Sequence, residues 1–303
     1  MKKSIKIIAL LITVFSFAIT GCKKDKDVPE PEKPKATISN IEIGSGNNET
    51  GIISRDFHFN ADITAGDKIE TVVIKILPRS GETYSKDWSH EIVWEEFKGA
   101  KNTNVHKHFT IPEDAAPGKY DFLIVVNEEN GSITEVKKSI QIILPADLPV
   151  DPFLSIGLMR TKPTFKVLYS DDHFMNEGDN VLKKGDALTN ALVATEVKGS
   201  GQFVSFFVNK KHNLHPEAIT NVDFSKVIVV NNAEHTDWEF SKNFSSTTKI
   251  VIGADLDNHS TPQATEGSRA WETGDYYWVV LYHNSTYNVN IYKYIDVKID
   301  MSE

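Results

Sequence analysis

The chain has 303 residues, with 33 Lys and Arg against 42 Asp and Glu, and a formal net charge of −9. That acidic balance repels phosphate backbones and argues against a nucleic-acid partner. A single cysteine excludes a disulfide framework and a thiolate metal centre. Stability must then come from packed cores, and any metal ligands from His, Asp, Glu or backbone.

The first 22 residues, MKKSIKIIALLITVFSFAITGC, begin with Lys2, Lys3 and Lys6 and continue as an apolar run from Ile7 to Ile19. Small residues and then Cys22 follow. This is the pattern of a secretory signal peptide, too short for a comfortable membrane span. Ile19-Thr20-Gly21-Cys22 resembles the bacterial lipobox. The resemblance implies lipidation of the Cys22 sulfur and cleavage just before it. Without residues 1–21 the chain keeps 30 basic and 42 acidic residues, a net charge of −12. Residues 22–36, with the charged and proline-containing stretch KKDKDVPEPEKPKA behind the cysteine, bury too little apolar surface to fold and read as a flexible tether. A charged run at this place also resembles surface-export signals of Bacteroides-group lipoproteins, although Lys23-Lys24-Asp25-Lys26-Asp27 is less acidic than those. The expected location is the outer membrane, lipid-anchored, at its cell-surface or periplasmic face.

Residues 37–144 read as strands. TISNIEI (37–43) and DFHFNADI (56–63) alternate apolar and polar residues, and IETVVIKIL (69–77) is a longer apolar run. WSHEIVWEEF (88–97) and NVHKHFTI (104–111) come next. GKYDFLIVV (118–126) and ITEVKKSIQII (133–143) flank Asn130-Gly131, a hairpin turn pair. Seven such strands suit an immunoglobulin-like sandwich. PADLPVDP (145–152) has three prolines in eight positions and predicts a stiff extended linker.

Residues 153–303 repeat the style. Strands are expected at 165–169, 191–197, 202–208, 226–230, 236–240, 249–253, 275–283 and 289–299. Gly118-Lys119-Tyr120-Asp121-Phe122 and Gly274-Asp275-Tyr276-Tyr277-Trp278 each open a penultimate strand that is followed by a turn and a closing strand. The expectation is an all-β chain with two immunoglobulin-like β-sandwich domains in tandem.

Asn104-Val105-His106-Lys107-His108-Phe109, Ile111-Pro112, Gly118-Lys119-Tyr120 and the Asn130-Gly131 turn carry a family resemblance. Residues 37–144 resemble an uncharacterised immunoglobulin-like domain family of Bacteroides-group lipoproteins. The resemblance implies fold and location, and no activity. Residues 153–303 resemble no family.

Side chains alternate between the faces of a strand. His106, His108 and Thr110 therefore point away from the core that receives Val105, Phe109 and Ile111. Asp56, His58, Asn60 and Asp62 do the same opposite Phe57, Phe59, Ala61 and Ile63. These are the second and fifth expected strands, which neighbour each other in immunoglobulin-like sheets. His58, His106 and His108 can then converge on one outer face, with Asp56 or Asp62 as a fourth ligand. Such a set suits Zn²⁺, Cu²⁺ or Ni²⁺. The bland alternative is a polar outer face, and a one-residue slip of register would dismantle the cluster. His90 reads as core-facing or rim.

Tyr277, Tyr292 and Tyr294 form a second candidate. Their strand positions place them on an outer face, where an aromatic patch marks a protein- or glycan-binding surface. The alternative is that they pack against the first domain or a neighbouring strand. Asp255, Asp257 and Glu266 match calcium-loop positions, but Ser260 stands where that loop needs glycine, so an acidic connecting loop is the better reading. GxSxG, HExxH and P-loop patterns are absent, and no enzyme is expected. Two functions follow. The first is a lipid-anchored envelope protein that binds or adheres to a protein or glycan through the tyrosine face or through loops at a sandwich end. The second is transition-metal capture through the histidines, serving an outer-membrane transporter.

Overall fold

Period-two alternation of apolar and polar residues drives the chain into pleated sheets, because each strand can bury one face and hydrate the other. The computed structural model describes residues 33–302, and those from Lys35 onward cluster as one compact unit. The expected signal peptide, Cys22 and the expected tether up to residue 32 lie outside the described residues. Among the described residues, no helix is long and apolar enough to cross a membrane.

Eight strands build the first sandwich: β1 (Thr37–Ile43), β2 (Thr50–Ile52), β3 (Asp56–Thr64), β4 (Ile69–Pro78), β5 (His90–Trp94), β6 (Asn102–Thr110), β7 (Gly118–Glu128) and β8 (Ile133–Ile143). They pair as two sheets, in the orders β1-β3-β6 and β2-β8-β7-β4-β5. Phe57, Phe59, Ala61 and Ile63 of β3 fill the space between the sheets against Val72, Ile74 and Ile76 of β4 and Phe122, Ile124 and Val126 of β7.

Eight more strands form the second: β9 (Leu154–Lys162), β10 (Lys166–Ser170), β11 (His173–Phe174), β12 (Val181–Lys183), β13 (Ala187–Asn209), β14 (Val227–Val251), β15 (Gly274–Asn284) and β16 (Val289–Asp300). The first half of β13 pairs with β9 and the end of β14, and its second half pairs with β15 and the start of β14. The β13–β14 hairpin therefore runs through both layers. One layer is β9, early β13 and late β14, with β10 and β11 added at its edge. The other is β12-β16-β15, late β13 and early β14. Set beside the first sandwich, the orders correspond strand for strand, apart from the added β10–β11 edge.

The sequence expectation split β13 and β14 into five separate strands at Gly199, Gly201 and the polar stretches between. The chain instead bends without breaking. Register shifts cluster between Ala194 and Gly201, and Gly199 adopts φ +73 with Thr286 packed where a Cβ would stand. Bulges at a glycine let one strand change sheets. The linker differs too: Pro145–Asp147 is a turn of 3-10 helix, Val150 is buried, and Asp151 holds Arg55 in a two-pronged ion pair at 2.5 and 2.6 Å.

A tyrosine near the start of the penultimate strand anchors each sandwich. Tyr120 donates its hydroxyl to the Ala116 carbonyl at 2.8 Å, and the Tyr276 hydroxyl accepts the Glu272 N–H at 3.1 Å, each four residues back. This is the tyrosine corner of immunoglobulin-like sandwiches. Burial pushes the Tyr120 hydroxyl up to about 12, so it stays a donor. Tyr120→Phe strands a buried carbonyl and is expected to destabilise the protein by about 1–3 kcal/mol. Urea unfolding checks this, and an unchanged midpoint would show that the corner contributes nothing here.

Candidate metal centre between the sandwiches

Antiparallel pairing sets His58 of β3 directly opposite His108 of β6, and Asn60 opposite His106. All three imidazoles therefore leave the sheet on the same outer face, with ring centroids 5.0, 5.2 and 5.4 Å apart. That face is not open to water above His58, which is only 6 % exposed. The chain between β13 and β14 covers it.

Two 3-10 turns, Lys210–His212 and Ile219–Asn221, shape this covering loop. Asn209 caps the first by accepting the Lys211 N–H, and Asn213 closes it with a left-handed φ of 50. The outer face of the second sandwich beneath the loop is apolar, with Val204, Phe206 and Val208 of β13, Val227 and Val229 of β14, and Val279 and Leu281 of β15. Leu214, Ile219, Val222 and Phe224 of the loop pack on it, together with Tyr277, Tyr292 and Tyr294. Tyr294 donates its hydroxyl to the Pro216 carbonyl at 2.6 Å. The half-buried tyrosines are thus a platform under the loop and not an open patch. The loop needs an apolar seat, and these rings supply it.

What the platform holds up is Glu217. Its Oε1 lies 2.8 Å from His108 Nε2 and 3.3 Å from His106 Nε2, and its Oε2 lies 2.9 Å from His58 Nδ1. One donor atom from each of His58, His106, His108 and Glu217 falls within 4.8 Å of all the others. A tetrahedral zinc ion, bonded at about 2.0–2.1 Å, spaces its donors about 3.3 Å apart. The 2.9 Å approach of His58 to Glu217 is not aligned as a hydrogen bond, and neither His58 nitrogen nor Glu217 Oε2 has a hydrogen-bond partner. Buried polar atoms are ordinarily hydrogen-bonded.

The surroundings fit the same chemistry. His108 Nδ1 meets Asp56 Oδ2 at 2.7 Å, and His58 Nε2 faces Glu42 Oε2 at 3.6 Å. Metal-ligating histidines give their second ring nitrogen to a carboxylate, a backbone carbonyl or water, which fixes the tautomer and raises basicity; His108 does so to Asp56, while His58 Nε2 is beyond hydrogen-bond reach of Glu42. Asp56 was expected as a ligand and instead orients one. Asp62 is not at the centre: it accepts from Asn40 and Asn104 at 2.7 and 2.8 Å. A cavity of about 190 Å³ beside the cluster is lined by Glu42, His58, His106 and Glu217 together with Asn60 and Asn221.

Charge in the cluster is balanced between the sandwiches. Burial pulls the His58 imidazole down, but the Glu217 and Glu42 carboxylates beside it outweigh this and raise it to about 9. Glu217, with Asp56 behind it, also raises His108. Burial pushes Glu217 up, but the three histidines hold it well below the usual carboxylate range. The raised His58 value adds stability that is full below its ordinary 6.5 and lost as pH rises through about 9. The lowered Glu217 value adds stability present above its ordinary 4.5 and lost in acid. In chelator, the cluster should therefore stabilise the protein most between 4.5 and 6.5 and decline on either side. Thermal melts of wild type and Glu217→Gln across this range test it, and parallel profiles would refute it.

The other sequence candidates have structural duties. Buried Asp257 accepts the N–H groups of His259 and Gln263 at 3.1 and 3.0 Å and pairs with Arg269 at 3.1 Å, so it organises its loop. His90 is half-buried and stacks on Trp88 at 6.1 Å.

Residues 20–143 match the family model of a domain of unknown function, DUF4625. That span contains His58, His106 and His108 and stops short of Glu217. No curated protein matches. Among solved structures, latent dimeric PorU from Porphyromonas gingivalis is 9 % identical with a TM-score of 0.31 over 91 % of this chain and 21 % of its own. Trypsin-activated alpha-2-macroglobulin from Escherichia coli is 9 % identical with a TM-score of 0.24 over 89 % and 17 %. An ICAM-5 D1–D4 ectodomain fragment is 9 % identical with a TM-score of 0.24 over 87 % and 54 %. The chain thus spans about a fifth of the length of PorU and about half that of the ICAM-5 fragment.

Proposed function

We propose that this protein is a lipid-anchored lipoprotein of the bacterial envelope that binds one divalent transition metal ion, zinc being the best match. The observation that carries the metal reading is the convergence of three imidazoles and one buried carboxylate from separate parts of the chain. Three nitrogens and one oxygen, gathered within 4.8 Å of one another, suit Zn²⁺. The lipobox-like Ile19-Thr20-Gly21-Cys22 behind a basic and apolar leader supports the envelope location. The role proposed is capture and holding, without catalysis, in the service of an outer-membrane transporter. The covered tyrosine platform leaves the adhesive alternative to loops at a sandwich end.

Calorimetric titration of the purified full chain with Zn²⁺ tests this. One ion per chain, bound more tightly than about micromolar and removed by chelator, is expected. Metal binding requires neutral imidazoles, and His58 holds its proton up to about 9. Binding at about pH 7.5 should therefore release protons, read as a heat that changes with the ionisation enthalpy of the buffer. No saturable binding would overturn the metal reading.

A further inference from the structure

We infer that the bound metal fastens the two sandwiches to each other, so that metal loading sets their mutual orientation; this rests on the metal reading above. Three ligands stand on β3 and β6 of the first sandwich, and Glu217 is the one ligand from the second. The ion would therefore sit in the seam and belong to neither half alone.

The seam is otherwise held by polar contacts. Among the described residues, no hydrophobic cluster mixes side chains of the two sandwiches: one runs from Ala36 to Ile142, and the others lie between Leu154 and Met301. The direct bonds across it are of another kind. Asn221 Nδ2 donates to the Glu42 carboxylate at 3.1 Å, Asn290 Nδ2 to the Ser45 carbonyl at 3.1 Å, and Ser45 Oγ to the Glu217 carbonyl at 3.4 Å. Gly46, at φ +63, lets the first sandwich approach this close, since a Cβ there would stand 2.6 Å from Asn290 Nδ2 and 3.3 Å from the Ala218 Cβ. These hydrogen bonds, and the pairing of Glu217 with the histidines, trade against hydration and add little net stability, and polar contacts between domains permit relative motion by default. Buried Pro216, Glu217 and Ala218 nevertheless enter this seam as a wedge. Without metal, Glu217 meets the histidines only through hydrogen bonds and ion pairs, and a metal bond would replace these with coordinate bonds from both halves to one ion.

Distances between the two halves read this directly. Cys22 is the sole cysteine, so Cys22→Ser leaves a clean background. Spin labels then go at exposed Ser80→Cys and Glu177→Cys in the full chain. Pulsed electron resonance should give one narrow distance with Zn²⁺ and a broad distribution in chelator. Glu217→Ala should stay broad with Zn²⁺ present. The metal-on, metal-off comparison needs no site variant, so a folding defect in Glu217→Ala cannot mask the answer. Zinc bound by calorimetry with the same distribution in both states would overturn the clamp and leave metal binding standing. No zinc binding at all would overturn both.

Discussion

Glu217→Gln is expected to weaken zinc binding by about 100-fold or more, measured by competition with a chromophoric chelator. Even outer partners of metal ligands are worth about 10–100-fold in affinity. A direct anionic ligand should reach at least the top of that range. Glutamine keeps the shape of the side chain, so Tyr294 can still hold the Pro216 carbonyl and the loop can keep its seat. What is lost is the charge that faces three imidazoles at 2.8, 3.3 and 2.9 Å. Asp56→Asn is the inner control. Asp56 touches His108 Nδ1 and not the centre, so its loss should cost within the outer-partner range and less than Glu217→Gln. The reverse order would mean that Asp56 is the ligand and Glu217 a bystander.

The histidine face was legible because strand periodicity is local. Alternation in DFHFNADI and NVHKHF fixes which side chains share a side, and the pairing of β3 with β6 completes the triad. Glu217 was not legible, because it lies 111 residues from His106 on a loop with no period to read. Its only trace is a lone acidic residue in LHPEAI, between apolar residues that seek a seat. The same loop explains why the tyrosines are covered. Alternation correctly puts Tyr277, Tyr292 and Tyr294 on the outer face, but outer means exposed only if nothing folds back over it. Leu214, Ile219, Val222 and Phe224 do fold back. The two sequence candidates, metal face and aromatic face, thus meet at one place, with the tyrosines supporting the residue that completes the metal set.

Zinc should raise the midpoint of thermal unfolding by roughly 10 °C at a free concentration about a thousandfold above the dissociation constant. A ligand at that excess adds about 4.1 kcal/mol to the native state. A domain of about 150–250 residues shifts by roughly 2–4 °C per kcal/mol. The shape of the transition carries more information than its shift. The two cores share no apolar cluster, so in chelator only polar and ionic contacts at the seam couple their melting. Zinc ligands from both halves make the opening of either half cost the ion, and calorimetry should then show the transitions drawn together into one. In Glu217→Gln the histidine triad remains on the first sandwich alone. Residual zinc should then lift only the part of the trace that belongs to that sandwich, while the second melts as it does in chelator. A wild-type trace that shifts without merging would place the stabilisation in the first sandwich and remove Glu217 from the bond.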